Sequence, residues 1–244
     1  MVGRGAVEEL RALAARLSGT RVLNVNSTYV GGGVAEILAR MIPLLKQLGV
    51  DARWNVIHGD DAFFQVTKKF HNAIHGRPEQ ITEDDLRVFM ETSDRHLSEV
   101  DTSADVVFVH DPQPVALVRK KLSERQRWAW RCHIDVSRPN QQVWDFLRPF
   151  VVQYDAAVFS APQFSQELPI PQYQIAPSID PLSDKNRDLT PSDIESVLKE
   201  YGVTTEKPLI TQISRFDYLK DPVGLIEAFK LVRSLQLRDD NFLA

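Results

Sequence analysis

Two patterns of apolar residues alternate along this chain. Short apolar runs, which are typical of buried strands, occur at 21–27, 52–59, 105–114, 127–135 and 156–162. Apolar residues three or four apart, which are typical of helices, occur between them at 34–48, 63–74, 86–97 and 143–151. An N-terminal amphipathic helix is predicted from Val7, Leu10, Ala14 and Leu17. This alternation predicts an α/β fold built on a mainly parallel sheet.

The chain changes character at residues 176–193, where three prolines stand among mixed charges. We interpret this stretch as a linker between a first domain, 1–185, and a second domain, 186–244. The second domain is predicted to hold a strand at 208–217 and two helices, and so few elements cannot bury a core. We therefore expect an incomplete domain whose apolar helix face docks on the first domain or on another copy in a homodimer. That face is formed by Leu225, Ile226, Phe229 and Val232.

Composition excludes several classes of protein. Among 244 residues, 29 basic and 33 acidic side chains give a net charge of −4 without a basic block, which argues against nucleic-acid binding. The single cysteine, Cys132, rules out an internal disulfide framework and is expected to be a small buried residue. No apolar run reaches the length of about 18 residues that a membrane span needs, and charges interrupt the N-terminal helix. We expect a soluble cytoplasmic protein.

Three consecutive glycines, Gly31, Gly32 and Gly33, separate the first strand from the following helix. Glycine adds entropy to the unfolded chain and no packing surface, so the loop needs unusual dihedral angles or a close neighbour. Backbone N–H groups at a helix N-terminus suit a phosphate, although the sequence is neither the dinucleotide fingerprint nor the P-loop pattern. A tight turn is the alternative.

Further candidate residues follow other strands of the predicted sheet. His110, Asp111, His133 and Asp135 could orient sugar hydroxyls, transfer protons or bind a metal, and the alternative is histidines bonded to backbone carbonyls. Arg215 and Lys220 could neutralise a diphosphate, or could be an exposed basic pair. His71 and His75 resemble half of a zinc motif, but Asn72 stands where the motif has glutamate, which favours a solvated helix face.

Four motifs in this order resemble the retaining glycosyltransferases of family 4, and more closely the trehalose synthase and trehalose phosphorylase group. They are "RVLNVNSTYVGGGVAEIL", "HDPQP", "RCHID" and "QISRFDYLKDP". The resemblance implies a GT-B architecture, with two Rossmann-like domains facing across a cleft. It implies transfer of glucose from a nucleotide diphosphate glucose to free glucose, giving trehalose with retained configuration. No cofactor beyond the donor substrate, no metal and no protein nucleophile is required in that reaction.

The resemblance also implies roles for individual residues. His133 would contact the transferred sugar, Asp111 the acceptor side, and Arg215 with Lys220 the diphosphate leaving group. The glycine loop would approach the phosphate and glucose of the donor. The residues expected to bind substrate are Gly31, Gly32, Gly33, Glu36, His110, Gln113 and Asp135.

This sequence departs from the family pattern at its C-terminal end. The family continues with further strands and helices that recognise the nucleotide, including a Glu-x7-Glu motif, whereas Glu227 is the only glutamate after Lys220 here. We therefore expect the chain to be inactive or very weak by itself. Two alternatives remain: a non-catalytic module that binds a sugar or nucleotide, and a metal-dependent hydrolase built on His110, Asp111, His133 and Asp135.

Overall fold

The computed structural model describes residues 3–204, 209–216 and 218–236. The chain forms two compact units, Met1–Pro181 and Leu182–Ala244. The first unit contains helices α1 (Arg4–Ala15), α2 (Gly33–Gln47), α3 (Asp61–Ile74), α4 (Glu83–Glu99) and α5 (Gln141–Val151). Its strands are β1 (Arg21–Asn26), β2 (Asp51–Val56), β3 (Val106–His110), β4 (Arg127–Arg131), β5 (Ala156–Phe159) and β6 (Gln172–Gln174). The α/β class and the five strands predicted in the first domain are confirmed.

The six strands form one sheet in the order β2-β1-β3-β4-β5-β6, and every neighbouring pair is parallel. Strand β1 has β2 on one side and β3 on the other, so the direction of winding reverses between β1 and β3. Ligands of open parallel sheets bind beyond the carboxyl ends of the strands at such a reversal. The topology therefore selects one edge of the sheet, above β1 and β3, as the place to search for a site.

Both faces of the sheet are covered by helices. On one face Leu23 and Val25 of β1 belong to a large buried cluster that includes residues of α3, α4 and α5. On the other face Val22 packs in a smaller cluster with Ala14 of α1 and Leu38 of α2. Because successive side chains of a strand point to opposite faces, a strand covered on both sides must be apolar almost throughout. Apolar runs, rather than strict alternation, therefore identified these strands.

The helices begin where the sequence supplies a capping group. The Thr82 side chain accepts a hydrogen bond from the backbone N–H of Asp85, and Asp85 accepts one from the Thr82 N–H, which completes a capping box at α4. Asp85 also binds the Lys69 ammonium of α3 at 2.8 Å, which ties the two helices together.

Strand β6 was not predicted. Its three residues are polar or only partly buried, and Pro171 stands directly before them. A short strand at the edge of a sheet needs little apolar surface, so no hydrophobic pattern announces it. It forms because backbone groups of β5 are available beside it, as in the hydrogen bond from the Ile175 N–H to the Phe159 carbonyl at 2.8 Å.

The described part of the second unit contains helices α6 (Pro191–Glu200) and α7 (Pro222–Gln236). Helix α6 begins with a capping box between Thr190 and Asp193. The strand predicted at 208–217 is wrong for residues 209–216, which form no strand, while Pro208 and Asp217 lie outside the described residues. A strand needs a hydrogen-bonded neighbour, and the described residues of this unit supply none.

The apolar face predicted to point inward on α7 is also largely uncovered. Ile226, Phe229 and Val232 are exposed, and Leu225 is half-buried. Two helices without a sheet cannot enclose such a face. Docking of this face on a partner surface, including a homodimer, stays a prediction. Within the ranges that the structure describes, no helix is both long and apolar enough to span a membrane.

Candidate functional site

Three segments meet at the carboxyl edge of the sheet where the winding reverses. The glycine loop follows β1, Asp111 follows β3, and His133 follows β4. Parallel pairing aligns the last residues of β3 and β4, with His110 opposite Arg131. Three segments that are separate in the sequence therefore contribute to one surface of the first unit.

The glycine loop needs its first two glycines for their backbone conformation. Gly31 and Gly32 have φ angles of 73° and 79°, which side-chain-bearing residues rarely adopt. Gly33 is different, because it is the first residue of α2 and has an ordinary helical conformation. A Cβ atom built on any of the three would meet no protein atom within 4 Å. Backbone conformation thus explains why glycine occurs at positions 31 and 32. It does not explain glycine at position 33, and no neighbouring protein atom explains it either.

The loop is anchored to the sheet by Asn26, the last residue of β1. Its side-chain amide donates to the Thr28 carbonyl at 2.8 Å, and its amide oxygen accepts from the Trp54 indole N–H at 2.7 Å. The Tyr29 ring packs edge-on against Trp54, with ring centroids 4.9 Å apart. These contacts hold the approach to the glycines, while the glycines themselves stay exposed at the N-terminus of α2.

Asp111 lies in the left-handed region of backbone conformation, with φ at 63°. Its N–H donates to the Arg131 carbonyl at 2.9 Å, and its own carbonyl accepts from the Trp130 indole at 3.0 Å. Its carboxylate accepts the backbone N–H of His133 at 2.8 Å. A non-glycine residue held in this conformation by several bonds is typical of functional sites.

Burial raises the pKa of Asp111 to about 7, although the hydrogen bond from His133 and the positive charge of Arg131 act in the opposite direction. The carboxyl group therefore changes its protonation state near neutral pH instead of near pH 4. Such a group can accept a proton or a hydrogen bond from a hydroxyl under physiological conditions.

His110 and His133 form a direct pair above β3 and β4. Nδ1 of His110 lies 3.0 Å from Nε2 of His133, and Nε2 of His110 lies 3.0 Å from Oδ1 of Asn24. Burial lowers the pKa of His110 to about 3, helped by His133 and Arg131. Burial also lowers the pKa of His133 to about 4, helped by Arg131. Both imidazoles are therefore neutral at pH 7.

Arg131 supports the same edge from beneath. It is buried, and its guanidinium donates to the carbonyls of Phe159 and Ile175 at the ends of β5 and β6. Burial lowers its pKa. Because it lies near both histidines, its charge disfavours their protonation. Arg131 thus holds strand ends together and keeps the imidazoles neutral.

The remaining residues expected in the first domain surround this core of the site. Gln113 is half-buried, and within the described residues its Oε1 has no protein hydrogen-bond partner. Asp135 is half-buried and accepts the Ser137 N–H at 2.9 Å. Glu36 is exposed in the first turn of α2, next to the glycines. Their roles as substrate ligands stay predictions.

Arg215 and Lys220 belong to the second unit, and both are exposed. Lys220 ends a short 3₁₀ helix, Tyr218–Lys220, and its carbonyl accepts a hydrogen bond from the Gln212 amide. We selected this pair because it follows a predicted strand, but the described residues before it form no strand. The role of this pair toward a diphosphate stays a prediction.

Two other features of the sequence have structural explanations. Cys132 is completely buried directly after β4, as expected, and burial raises the pKa of its thiol well above the usual range. His71 and His75 lie on consecutive turns at the end of α3, and a ring nitrogen of His75 lies 3.0 Å from the His71 carbonyl. Across the described residues, no three His, Cys, Asp or Glu side chains are placed to hold one metal ion, so no observation favours metal-dependent hydrolysis.

Sequence reasoning missed Asn24. It was counted only as part of a strand, yet it is 1% exposed and contacts His110 across the sheet. Its signal was present, because Asn24 and Asn26 interrupt an otherwise apolar strand that is covered on both faces. A buried amide in such a strand needs hydrogen-bond partners, and here the partner of its oxygen, His110, belongs to the site.

An all-parallel sheet with a polar site at its winding reversal defines a Rossmann-like domain, the type of domain from which the GT-B architecture is built. A solved trehalose-6-phosphate synthase, OtsA, has the same fold, with a TM-score of 0.53 and 13% sequence identity. The match covers 75% of this chain and 55% of that chain. A family model described as "Trehalose synthase, N-terminal domain" matches residues 24–166. The chain belongs to this trehalose synthase family, which confirms the family expected from the motifs.

Relatives with established names agree with this assignment. A trehalose synthase of Rubrobacter xylanophilus is 43% identical over 242 residues, covering 96% of this chain and 58% of its own length. A trehalose synthase of Thermococcus litoralis is 42% identical, covering 96% of this chain and 57% of its own length. A trehalose phosphorylase of Pleurotus pulmonarius is 27% identical over 86% of this chain and 33% of its own length. The chain thus spans somewhat more than half the length of the trehalose synthases that it matches.

Proposed function

We propose that the first unit is the acceptor side of a retaining glucosyltransferase. The reaction transfers glucose from a nucleotide diphosphate glucose to glucose and forms trehalose. The observation that supports this proposal is the meeting of the glycine loop, Asp111 and His133 at the carboxyl edge between β1 and β3. Membership of the trehalose synthase family supports the choice of sugars.

In this proposal Asp111 orients the acceptor glucose. With a pKa of about 7, the carboxyl group is partly ionised near neutral pH, and its ionised form accepts a hydrogen bond from an acceptor hydroxyl. His133 contacts the transferred glucose as a neutral imidazole. In front-face attack the departing phosphate takes the proton of the acceptor, so neither side chain needs to form a covalent bond to sugar.

The glycine loop and the start of α2 are proposed to lie against the donor. Backbone N–H groups at a helix N-terminus attract negative charge. Glu36, in the same turn, opposes a bare phosphate there but provides acceptors for sugar hydroxyls. The loop thus combines N–H donors for phosphate with a carboxylate for glucose. No protein atom would contact a side chain at position 33, so the ligand itself would explain the glycine there by approaching the backbone most closely at Gly33.

Arg215 and Lys220 are proposed to neutralise the diphosphate as the glycosidic bond breaks. Negative charge develops on the leaving group at that moment, and fixed cations then stabilise the transition state more than the ground state. Arginine provides a planar fork for phosphate oxygens, while lysine provides a point charge. Loss of both should therefore affect nucleotide-sugar binding and leave glucose binding unchanged.

Calorimetry on the full chain tests the proposal. Glucose, trehalose, UDP-glucose and ADP-glucose are titrated separately, and a trehalose-forming assay runs in parallel. We expect His133→Ala to weaken glucose or trehalose binding by about three- to tenfold, which corresponds to one lost hydrogen bond. Arg215→Ala combined with Lys220→Ala should weaken only the nucleotide sugars. His71→Ala, on α3, is the matched histidine control and should change neither.

The outcomes separate the possible functions. Trehalose formation would establish the transferase. Binding of a sugar without turnover would instead favour a sugar- or nucleotide-binding module. Absence of binding by all four ligands, or equal affinity in the wild type and His133→Ala, would contradict the proposed site.

A further inference from the structure

We propose that Asn24 and His110 are positioning residues that fix the tautomer of His133. In this arrangement His133 carries its proton on Nε2 and presents the lone pair of Nδ1 to the ligand. The arrangement of the three side chains follows from the geometry of the first unit. The identity of the ligand group, a sugar hydroxyl, rests on the proposed function.

The three side chains form one continuous chain of hydrogen bonds. Oδ1 of Asn24 lies 3.0 Å from Nε2 of His110, and Nδ1 of His110 lies 3.0 Å from Nε2 of His133. The two imidazoles are nearly parallel, with an interplanar angle of 18° and centroids 5.3 Å apart. Asn24 is 1% exposed and His110 is 5% exposed, while His133 is only half-buried. The chain therefore leads from the interior of the sheet to its accessible edge.

The direction of each hydrogen bond in this chain is set by Asn24, the residue at its buried end. The Asn24 amide oxygen faces His110, and because an amide oxygen only accepts, Nε2 of His110 donates to it in this orientation. The Asn24 Nδ2 atom is buried without a hydrogen-bond partner in the described residues. A neutral imidazole has one donor and one acceptor, so Nδ1 of His110 accepts, and Nε2 of His133 donates to it. The remaining nitrogen of His133, Nδ1, then has no proton. One buried amide thus determines the hydrogen-bonding character of a ring nitrogen two side chains away.

The arrangement is held from several sides. Neither imidazole is protonated at pH 7, because burial and the nearby charge of Arg131 oppose a second proton. The backbone N–H of His133 is bound to the Asp111 carboxylate at 2.8 Å, which fixes the main chain that carries the ring. Ring and backbone of His133 are thus anchored independently, to His110 and to Asp111.

A lone pair suits the chemistry proposed for this edge. A sugar hydroxyl can donate to it, and the negative end of the imidazole dipole then faces the sugar. As a glycosidic bond breaks, the sugar ring gains positive charge, which that orientation stabilises. The opposite tautomer would place an N–H group there and would oppose the developing charge.

Nuclear magnetic resonance measures the tautomers directly. In the full chain labelled with 15N-histidine, two-bond nitrogen–proton couplings at pH 7.5 distinguish a proton on Nε2 from one on Nδ1. We expect the Nε2–H tautomer for both His110 and His133. The Nδ1–H tautomer of either would overturn the proposal, because it corresponds to an Asn24 amide turned by 180°, with its NH₂ group toward His110.

Substitution of Asn24 tests whether it controls the chain. Asn24→Leu removes the acceptor, and we expect both histidines to shift together toward the Nδ1–H tautomer, with glucose affinity about three- to tenfold lower. Asn24→Asp retains the acceptor, so it should retain both tautomers, and its charge should raise the pKa of His110. Asn26→Leu, two residues along the same strand, should leave both tautomers unchanged. This control compares tautomers only, because Asn26 also anchors the glycine loop.

The results separate this inference from the proposed function. Unchanged tautomers in Asn24→Leu would overturn the positioning role even if glucose still binds. If Asn24→Leu does not fold, loss of the Nε2–H tautomers in Asn24→Asp would overturn it. Expected tautomers in a chain that binds none of the sugars would support the hydrogen-bond chain and contradict the sugar site.

Discussion

At the scale of single residues, the carboxyl group of Asp111 is held where ionisation is unfavourable. Burial raises its pKa to about 7, and its backbone has a positive φ angle. Asp155 shows the opposite behaviour. Burial alone would raise the pKa of Asp155, but the Trp128 N–H and the Lys121 ammonium, both within 2.9 Å, lower it. Two carboxylates of the first unit thus respond differently to pH, because Asp155 is hydrogen-bonded to a lysine ammonium, whereas the burial of Asp111 outweighs its backbone hydrogen bond and the charge of Arg131.

We predict that Asp111→Asn stabilises the first unit at alkaline pH. Ionised Asp111 opposes folding, and this cost grows as pH rises from its unfolded pKa near 4 to its folded pKa of about 7. Asparagine tolerates the same backbone conformation and removes the charge. The gain in unfolding free energy should be about 2–3 kcal/mol larger at pH 8 than at pH 5, since one pKa unit corresponds to about 1.4 kcal/mol.

Urea unfolding at both pH values provides the measurement, with Asp155→Asn as the control. That variant should destabilise the unit at pH 8, because it removes a carboxylate whose ionised form is stabilised by folding. A gain for Asp111→Asn that is equal at pH 5 and pH 8 would show that its ionisation does not oppose folding. The same variant should bind glucose more weakly, which would separate stability from function.

At the scale of elements, the turn from β1 to α2 combines two different requirements for glycine. Gly31 and Gly32 have positive φ angles, whereas Gly33 is helical and exposed. Nothing in the protein lies within 4 Å of a Cβ atom on any of them. Substitution of Gly31 or Gly32 therefore tests backbone strain, and substitution of Gly33 tests contact with a ligand.

We predict opposite effects of alanine at these positions. Gly31→Ala and Gly32→Ala should each lower the unfolding free energy by about 1–2 kcal/mol, because alanine is strained at positive φ. Gly33→Ala should leave stability unchanged or raise it by up to about 1 kcal/mol, since alanine favours a helix. The same variant should weaken sugar binding at least about tenfold, if the ligand approaches this backbone within van der Waals contact.

Thermal unfolding and calorimetry on each variant provide the comparison. Gly5→Ala is the control, because Gly5 is also an exposed glycine in the first turn of a helix, α1, with nothing near its Cβ position. It should change stability as Gly33→Ala does and leave binding unchanged. Equal binding by Gly33→Ala and the wild type would remove the glycine loop from the proposed site.

At the scale of the whole molecule, buried neutral histidines couple folding to pH. His96 is completely buried, its Nε2 lies 2.6 Å from the His58 carbonyl, and burial lowers its pKa despite that bond. His110 and His133 are lowered to about 3 and about 4. All three gain protons on unfolding below about pH 6.5, so stability falls as pH decreases. Asp111 acts in the opposite direction, because its folded form binds the extra proton between about pH 4 and pH 7.

We predict a net uptake of at least about one proton when the first unit unfolds near pH 5, because His110 and His133 together take up about two and Asp111 releases about one. The unfolding free energy should then decrease by at least about 1 kcal/mol for each pH unit between pH 6 and pH 5. Urea unfolding across this range measures the slope, and His96→Gln should make it shallower, because folding also lowers the pKa of His96. A stability that is independent of pH there would contradict the burial of these imidazoles in neutral form.

Much of this architecture could be predicted from local patterns. The apolar runs identified five strands because the sheet is covered on both faces. The capping box at Thr82 depends only on neighbouring residues, so the start of α4 is also a local property of the sequence. Strand β6 was missed, and a strand was wrongly predicted at 209–216, for one common reason. Whether a segment forms a strand depends on the availability of a neighbour, which β5 provides for β6 and which the described second unit does not provide.

The sequence by itself determined the alternation of strands and helices and the placement of histidines, carboxylates and glycines after strands, because these are properties of local spacing. Only the tertiary structure decided that β3 lies beside β1, which creates the reversal where those residues meet. It also decided that Asn24 contacts His110, 86 residues away. Strand order and such contacts depend on non-local pairing, and no local pattern encodes which strand becomes the neighbour of which.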